Sequence, residues 1–120
     1  MKLEHVGYNV AEPQKLMDWW CANLGFTQTH PAFIVDSTGQ MALEFYHNPA
    51  APVPDYAAMD PLSTHIAFLS DDVDIDAAHL VAAGATLLDT VHKPGFDMAM
   101  LRDPFGMAIQ FVKRETPILR

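Results

Sequence analysis

His5 and His65 stand early in two segments that read alike, Glu4-His5-Val6-Gly7-Tyr8 and Thr64-His65-Ile66-Ala67-Phe68. Glu44 and Gln110 hold matching places in a second pair, Met41-Ala42-Leu43-Glu44-Phe45 and Met107-Ala108-Ile109-Gln110-Phe111. Two imidazoles, a carboxylate and a carboxamide oxygen suit one divalent transition metal such as Zn²⁺, Ni²⁺, Co²⁺, Mn²⁺ or Fe²⁺. Ligands on separate strands hold one side of an ion and leave positions for water or substrate. Such an ion polarises a bound carbonyl and stabilises an enediolate, lowering the pKa of the adjacent C–H. A carboxylate beside the metal can then accept the proton. Taken alone, a strand His reads as a packed or surface residue. The return of the whole set at equivalent positions favours a ligand site. His30, His47, His79 and His92 have no such repeat and read as surface or structural.

The repeat also sets the elements that must carry these residues. A first strand over Lys2 to Asn9 leads to Pro13, which suits the first turn of a helix because its missing N–H would be unpaired there anyway. Leu16, Met17, Trp19, Trp20 and Leu24 form an apolar stripe at three-to-four spacing, and Gly25 closes the helix. Strands follow near Phe26–His30, Ala32–Val35 and Gln40–His47. Four prolines between His47 and Pro61 predict an extended connection. The second half runs in the same order. A strand covers Ser63–Leu69, and a helix capped by Asp71, Asp72 or Asp74 runs to Ala83 and Gly84. Strands follow near Ala85–Val91, Asp97–Arg102 and Met107–Lys113. Each final strand follows an Asp-x-x-Gly turn, Asp36 to Gly39 and Asp103 to Gly106. The expectation is α+β: two tandem βαβββ modules, 1–48 and 62–120, joined by a linker over 49–61 within one domain. They form a curved mixed sheet with the helices on one side.

Alternation along strands sorts the faces. His5, Gly7 and Asn9 share one face, as do Ala42, Glu44 and Tyr46, His65 and Ala67, and Ala108 and Gln110. The larger apolar set opposite packs on the helices. Gly7, Ala67, Ala42 and Ala108 leave open volume beside the four donors, as a pocket floor requires.

Composition narrows the partners. Half of the 120 residues are hydrophobic, enough for a real core. Fifteen acidic and seven basic side chains give a net charge of −8, which argues against nucleic acid. No apolar run approaches the roughly 20 residues that span a membrane, and no leader pattern opens the chain. The lone Cys21 cannot form an intramolecular disulfide. A cytoplasmic protein with a small-molecule substrate or ligand and no organic cofactor is expected.

His5 with Val6, Leu24-Gly25-Phe26, Glu44, His65 with Ile66, and Asp103-Pro104-Phe105-Gly106 leading to Gln110 resemble the vicinal oxygen chelate superfamily. That superfamily includes glyoxalase I, methylmalonyl-CoA epimerase, extradiol dioxygenases, and fosfomycin- and bleomycin-resistance proteins. The resemblance covers nearly the whole chain. It implies paired modules forming a cup around a metal, often completed in a homodimer, with His5, Glu44, His65 and Gln110 as ligands. In glyoxalase I the last-strand ligand is a Glu and the leading candidate base. Gln110 cannot take a proton, so Glu44 would be both ligand and base. Asn9 stands where glyoxalase I tends to place an Arg for the glutathione carboxylate. Asn48 follows Glu44 by four residues, as an Asn does in glyoxalase I. Lys93 lies where such enzymes present basic residues, and Tyr46 shares the ligand face, so Asn9, Tyr46, Asn48 and Lys93 are the expected substrate contacts. The pattern implies a glyoxalase I-like lyase or isomerase. Alternatives are a non-catalytic binding protein resembling bleomycin-resistance proteins, whose aromatic and acidic character suits a cationic planar ligand, and a ring-cleaving dioxygenase, which Gln110 disfavours.

Overall fold

Pro13 and Gly25 bracket the first helix as their chemistry requires. In the computed structural model, which describes residues 1–119, strand β1 (His5–Asn9) leads into helix α1 (Pro13–Leu24). Pro13 occupies its first turn, and Gly25 ends it in the left-handed region at φ 73°. Strands β2 (Thr27–His30), β3 (Phe33–Val35) and β4 (Ala42–Tyr46) complete the unit, which runs from Met1 to Pro54. They form a four-stranded sheet in the order β1-β4-β3-β2, with β1 parallel to β4 and the other pairings antiparallel. Helix α1 packs on β4 and β2. Trp20, fully buried, meets Phe45 at 5.6 Å and Phe26 at 5.5 Å between ring centroids. Truncating such a residue typically costs about 3–5 kcal/mol.

The second unit begins at Asp55. Its strands are β5 (Ile66–Leu69), β6 (Thr86–Lys93), β7 (Phe96–Arg102) and β8 (Ala108–Arg114), with helix α2 (Val73–Ala82) between β5 and β6. The order β5-β8-β7-β6 matches the first unit strand for strand, again with one parallel pair, β5 with β8. Of the three aspartates able to cap α2, Asp72 does so, accepting from the backbone N–H of Asp74 and Ile75 at 3.1 Å each. Helix α2 packs on β6, β7 and β8, over the buried Ile109, Phe111, Ala99 and Leu101.

The expected βαβββ repeat is therefore present as two four-stranded mixed sheets, each with one helix. Strand ends move by up to three residues, β1 starting at His5 rather than Lys2 and β6 running on to Lys93, and two differences have evident local reasons. Strand β5 starts at Ile66 rather than Ser63, because Asp60 forms a tight turn ahead of it. Leu62 N–H donates to the Asp60 carboxylate and Ser63 N–H to its carbonyl, both at 2.8 Å. The connection over 49–61 is not uniformly extended, since Tyr56–Ala58 form a 3₁₀ turn. Arg102 fastens that turn: its guanidinium donates to the carbonyls of Tyr56 (2.9 Å), Gly106 (3.2 Å) and Met59. No helix among the described residues is long and apolar enough to cross a membrane.

Candidate functional site

Strand register puts the expected donors of each unit on one sheet face. In the first sheet His5 stands opposite Ala42, Gly7 opposite Glu44 and Asn9 opposite Tyr46. Partners in register project to the same side, so all six share the face away from α1. On the opposite side Leu43 and Phe45 are buried, and Tyr8 stacks on Phe45 at 5.7 Å. Burial also pushes the Tyr8 hydroxyl above its ordinary pKa of 10.0. Gly7 leaves space for what lies over it: a Cβ there would come within 3.2 Å of Glu44 Oε1 and 3.3 Å of Tyr46 Cε1. The carboxylate and the phenol ring thus rest on a bare stretch of β1.

His5 is tied down at one ring nitrogen only. Its Nδ1 lies 2.9 Å from Glu4 Oε1, and its ring meets Phe33 edge-on at 5.3 Å. A carboxylate only accepts, so Nδ1 carries the proton and donates, which leaves Nε2 of the neutral ring with its lone pair. In the second unit His65 is held in the same sense by a different group. Its Nδ1 donates to the Pro61 carbonyl at 2.9 Å, which a carbonyl can only accept. Gln110 stands opposite Ala67 and Met100 in register, on the face away from α2.

The first unit thus carries His5 and Glu44 on one sheet face, and in the second Gln110 pairs with Ala67, two residues after His65, which precedes β5. Among the described residues no three His, Cys, Asp or Glu side chains stand close enough together to enclose an ion. Of the four expected floor residues, Gly7 and Ala67 are exposed, Ala42 is half-buried, and Ala108 is buried.

The expected substrate contacts fall into two groups. Tyr46 lies beside Glu44 over Gly7. Lys93 is exposed, with its ammonium 5.3 Å from the Phe96 ring centroid. Asn9 and Asn48 instead work on the chain itself. Asn9 Nδ2 donates to the carbonyls of Asn48 (3.0 Å) and Ala51 (3.1 Å), while its Oδ1 accepts from Asn48 N–H at 2.7 Å. Asn48 Oδ1 accepts from Ala50 N–H. The two amides fold the 48–52 loop against the end of β1.

Among the other histidines, His30, His47 and His92 have hydrogen-bond partners, His30 at the Thr29 hydroxyl. His47 Nδ1 donates to the Val10 carbonyl at 3.0 Å. His92 lies between two carboxylates, Asp97 at 2.9 Å and Asp74 at 3.1 Å. The bond to Asp97, with further help from Asp74, raises its pKa above the ordinary 6.5.

Sequence reasoning missed two contributors and the placing of a third. Glu4 sits beside its His, and that adjacency was the available signal. Pro61 carried none, because the Asp60 turn aims its carbonyl. Phe33 is the register partner of Glu44, which only the β3–β4 pairing reveals.

The chain was compared with known proteins. The family model for the glyoxalase/bleomycin resistance protein/dioxygenase superfamily matches residues 2–111. No curated protein matches the sequence. Among solved structures, a glyoxalase/bleomycin resistance protein/dioxygenase family enzyme from Burkholderia phytofirmans PsJN aligns with a TM-score of 0.72 at 19% identity, covering 93% of this chain and 98% of that one. The antibiotic binding protein TnmS3 from Streptomyces sp. CB03234 aligns with a TM-score of 0.71 at 19% identity, covering 96% and 97%. A glyoxalase family protein from Bacillus cereus reaches 0.72 at 12% identity, covering 95% and 93%. At such identities the likeness is one of fold. The model match and the repeated βαβββ order agree, and the chain belongs to the glyoxalase/bleomycin resistance protein/dioxygenase superfamily.

Proposed function

We propose that this chain is a metal-dependent, glyoxalase I-like lyase or isomerase acting on a small carbonyl substrate or a thiohemiacetal. His5, Glu44, His65 and Gln110 would hold one divalent transition ion. The observation that carries this reading is the anchoring of both imidazoles through Nδ1, by Glu4 and by Pro61. A ring held that way keeps its Nε2 lone pair for a metal, the arrangement metal-binding histidines usually adopt. The donor set of two nitrogens, a carboxylate oxygen and an amide oxygen fits such an ion.

When bound, the ion would supply Lewis acidity, polarising a carbonyl and acidifying the neighbouring C–H. The rest falls to the protein. Glu44 takes the proton from that carbon and returns it to the adjacent one. One C–H bond breaks, another forms, and no oxidant is consumed. The Gln110 amide cannot relay a proton, so Glu44 is the one proton acceptor of the four. Gly7 gives its carboxylate room to move.

Metal content, measured by mass spectrometry on the full chain and on a His5→Ala/His65→Ala variant, tests the ligand set. About one transition ion per chain, lost in the variant, is expected; no metal even after supplementation overturns the reading. Glu44→Gln retains an oxygen donor, so metal should stay while turnover of a thiohemiacetal or α-keto substrate falls about 10²–10⁴-fold. Surviving turnover removes Glu44 as the base.

A second reading rests on the half-buried Phe33 and Tyr46 beside Glu44. Two rings and a carboxylate on one face suit a flat, cationic ligand held without chemistry. The fold itself occurs in an antibiotic binding protein. Calorimetry with a cationic planar drug on chelator-treated protein decides: tight, metal-independent binding supports this reading, and no heat removes it.

A further inference from the structure

Tyr46 does not stand over its own register partner. The residue opposite it is Asn9, yet a Cβ at Gly7 would lie 3.3 Å from Tyr46 Cε1 and 3.7 Å from its hydroxyl. The phenol thus leans along the diagonal, a reach that aromatic side chains have. It lies back over the rung of Glu44, whose Oε1 is 3.2 Å from the same point.

The rung it vacates is filled. Asn9 projects to the same face as Tyr46, as register partners do, and there its amide meets the chain leaving β4. Nδ2 lies 3.0 Å from the Asn48 carbonyl, 3.1 Å from that of Ala51 and 3.4 Å from that of Pro52. Oδ1 accepts from Asn48 N–H at 2.7 Å. So many backbone groups within hydrogen-bonding reach of one side chain put residues 48–52 on this face. Further bonds brace the loop at its root. Val10 N–H donates to the Tyr46 carbonyl at 2.7 Å, and Ala50 N–H to Asn48 Oδ1 at 2.9 Å. Pro49 and Pro52 fix two of its φ angles, which stiffens it. An amide whose donors are engaged by carbonyls has none left for a ligand.

We propose that Asn9 is a positioning residue: it folds 48–52 into an end wall of the Glu44 face. That wall turns the Tyr46 phenol over Gly7 and limits how far a substrate extends past Glu44 along β1. Two residues separate Glu44 from the walled rung, roughly 7 Å at about 3.3 Å per residue. A substituent of a few atoms fits that space, and an extended tripeptide of roughly 10 Å does not. The substrate class is a carbonyl compound, or its adduct with a small thiol, that is short on this side. That consequence rests on the reading of Glu44 as the proton acceptor; the wall and the lean of Tyr46 do not.

The test compares the full chain with Asn9→Asp, which keeps the side chain's shape but sets a carboxylate oxygen against the loop carbonyls. NMR on chelator-treated protein reads the wall. Wild type should show a nuclear Overhauser contact between the Tyr46 ring and the Gly7 Hα protons, and Asn9→Asp should lose most of it. Kinetics on metal-supplemented protein read the length limit, with the thiohemiacetals that methylglyoxal forms with 2-mercaptoethanol and with glutathione. Wild type should prefer the smaller adduct, and Asn9→Asp should shift the kcat/KM ratio about tenfold toward the larger. A side chain that only stabilised the fold would lower both rates together and leave the ratio unchanged. The proposal is overturned by a wild-type protein without the Tyr46–Gly7 contact, whether or not the variant folds. A contact as strong in Asn9→Asp, an unchanged ratio or a wild-type preference for the glutathione adduct would overturn it too. Turnover of neither adduct counts against the reaction reading, and the NMR contact then decides this proposal by itself.

Discussion

The two Asp-x-x-Gly turns are repeats of one another, yet their glycines face different surroundings, and alanine substitution should separate strain from contact. Gly39 and Gly106 both have positive φ, 73° and 94°. At Gly39 a Cβ would meet nothing within 4 Å. Alanine there pays the left-handed penalty of about 1–2 kcal/mol, offset in part by a stiffer unfolded chain, for a net cost of about 1 kcal/mol. At Gly106 the Cβ would sit 2.8 Å from Ala57 N, 3.0 Å from its Cβ and 3.1 Å from its Cα. Two of those are backbone atoms that no side-chain rotation can clear. The 3₁₀ turn must therefore retreat, which adds overpacking of about 1–3 kcal/mol. Retreat also stretches the Arg102 bonds to Tyr56 and Met59. The expected cost of Gly106→Ala is about 3–5 kcal/mol, a large share of a typical domain's 5–15 kcal/mol. Urea unfolding of both variants by circular dichroism measures the difference, with equal m values as the check on comparable transitions. A Gly106→Ala protein no less stable than Gly39→Ala would refute the packing of the 55–59 segment on the 103–106 turn.

Two further predictions concern position and pH. Gly7→Ala should leave stability within about 1 kcal/mol, since β1 is extended there, but push the Glu44 carboxylate and Tyr46 ring aside by a few tenths of an ångström; thiohemiacetal turnover should fall several-fold with an unchanged melting temperature, and equal turnover would show that Glu44 is not positioned by this contact. His92 has a raised folded pKa, so its contribution to stability is fully present below the unfolded value near 6.5 and fades as pH rises through the higher folded one. In His92→Gln that slope should vanish, and urea midpoints of variant and wild type should converge above neutrality; parallel pH profiles would exclude the Asp97–His92–Asp74 link as its source.

Much of the architecture was legible because it rests on period and punctuation. Pro13, Gly25 and the tryptophan stripe set α1, and alternation alone put His5 with Gly7 and Glu44 with Tyr46. The rest depended on partners that a linear reading does not supply. Asp71, Asp72 and Asp74 are equivalent caps on paper, and only the approach of the chain selects Asp72. Asn9 reads as a site residue by position, whereas its amide fits the loop that returns 39 residues later. Lys113 and Arg114 are neighbours in the sequence, although alternation sends them to opposite faces and gives only Arg114 to the face of Gln110.

The case for the histidines gains from how differently the two repeats support them. The first uses a side chain, Glu4, next to its His. In the second that place is taken by Thr64, too short and uncharged to do the same. The Asp60 turn instead folds the chain back so that the Pro61 carbonyl reaches His65 Nδ1. Two unrelated acceptors holding the same nitrogen leave the same Nε2 available in both units. That shared outcome, reached by separate means, fits the metal ligands proposed above, and the same Nδ1 anchoring at His47 makes the metal measurement the deciding one.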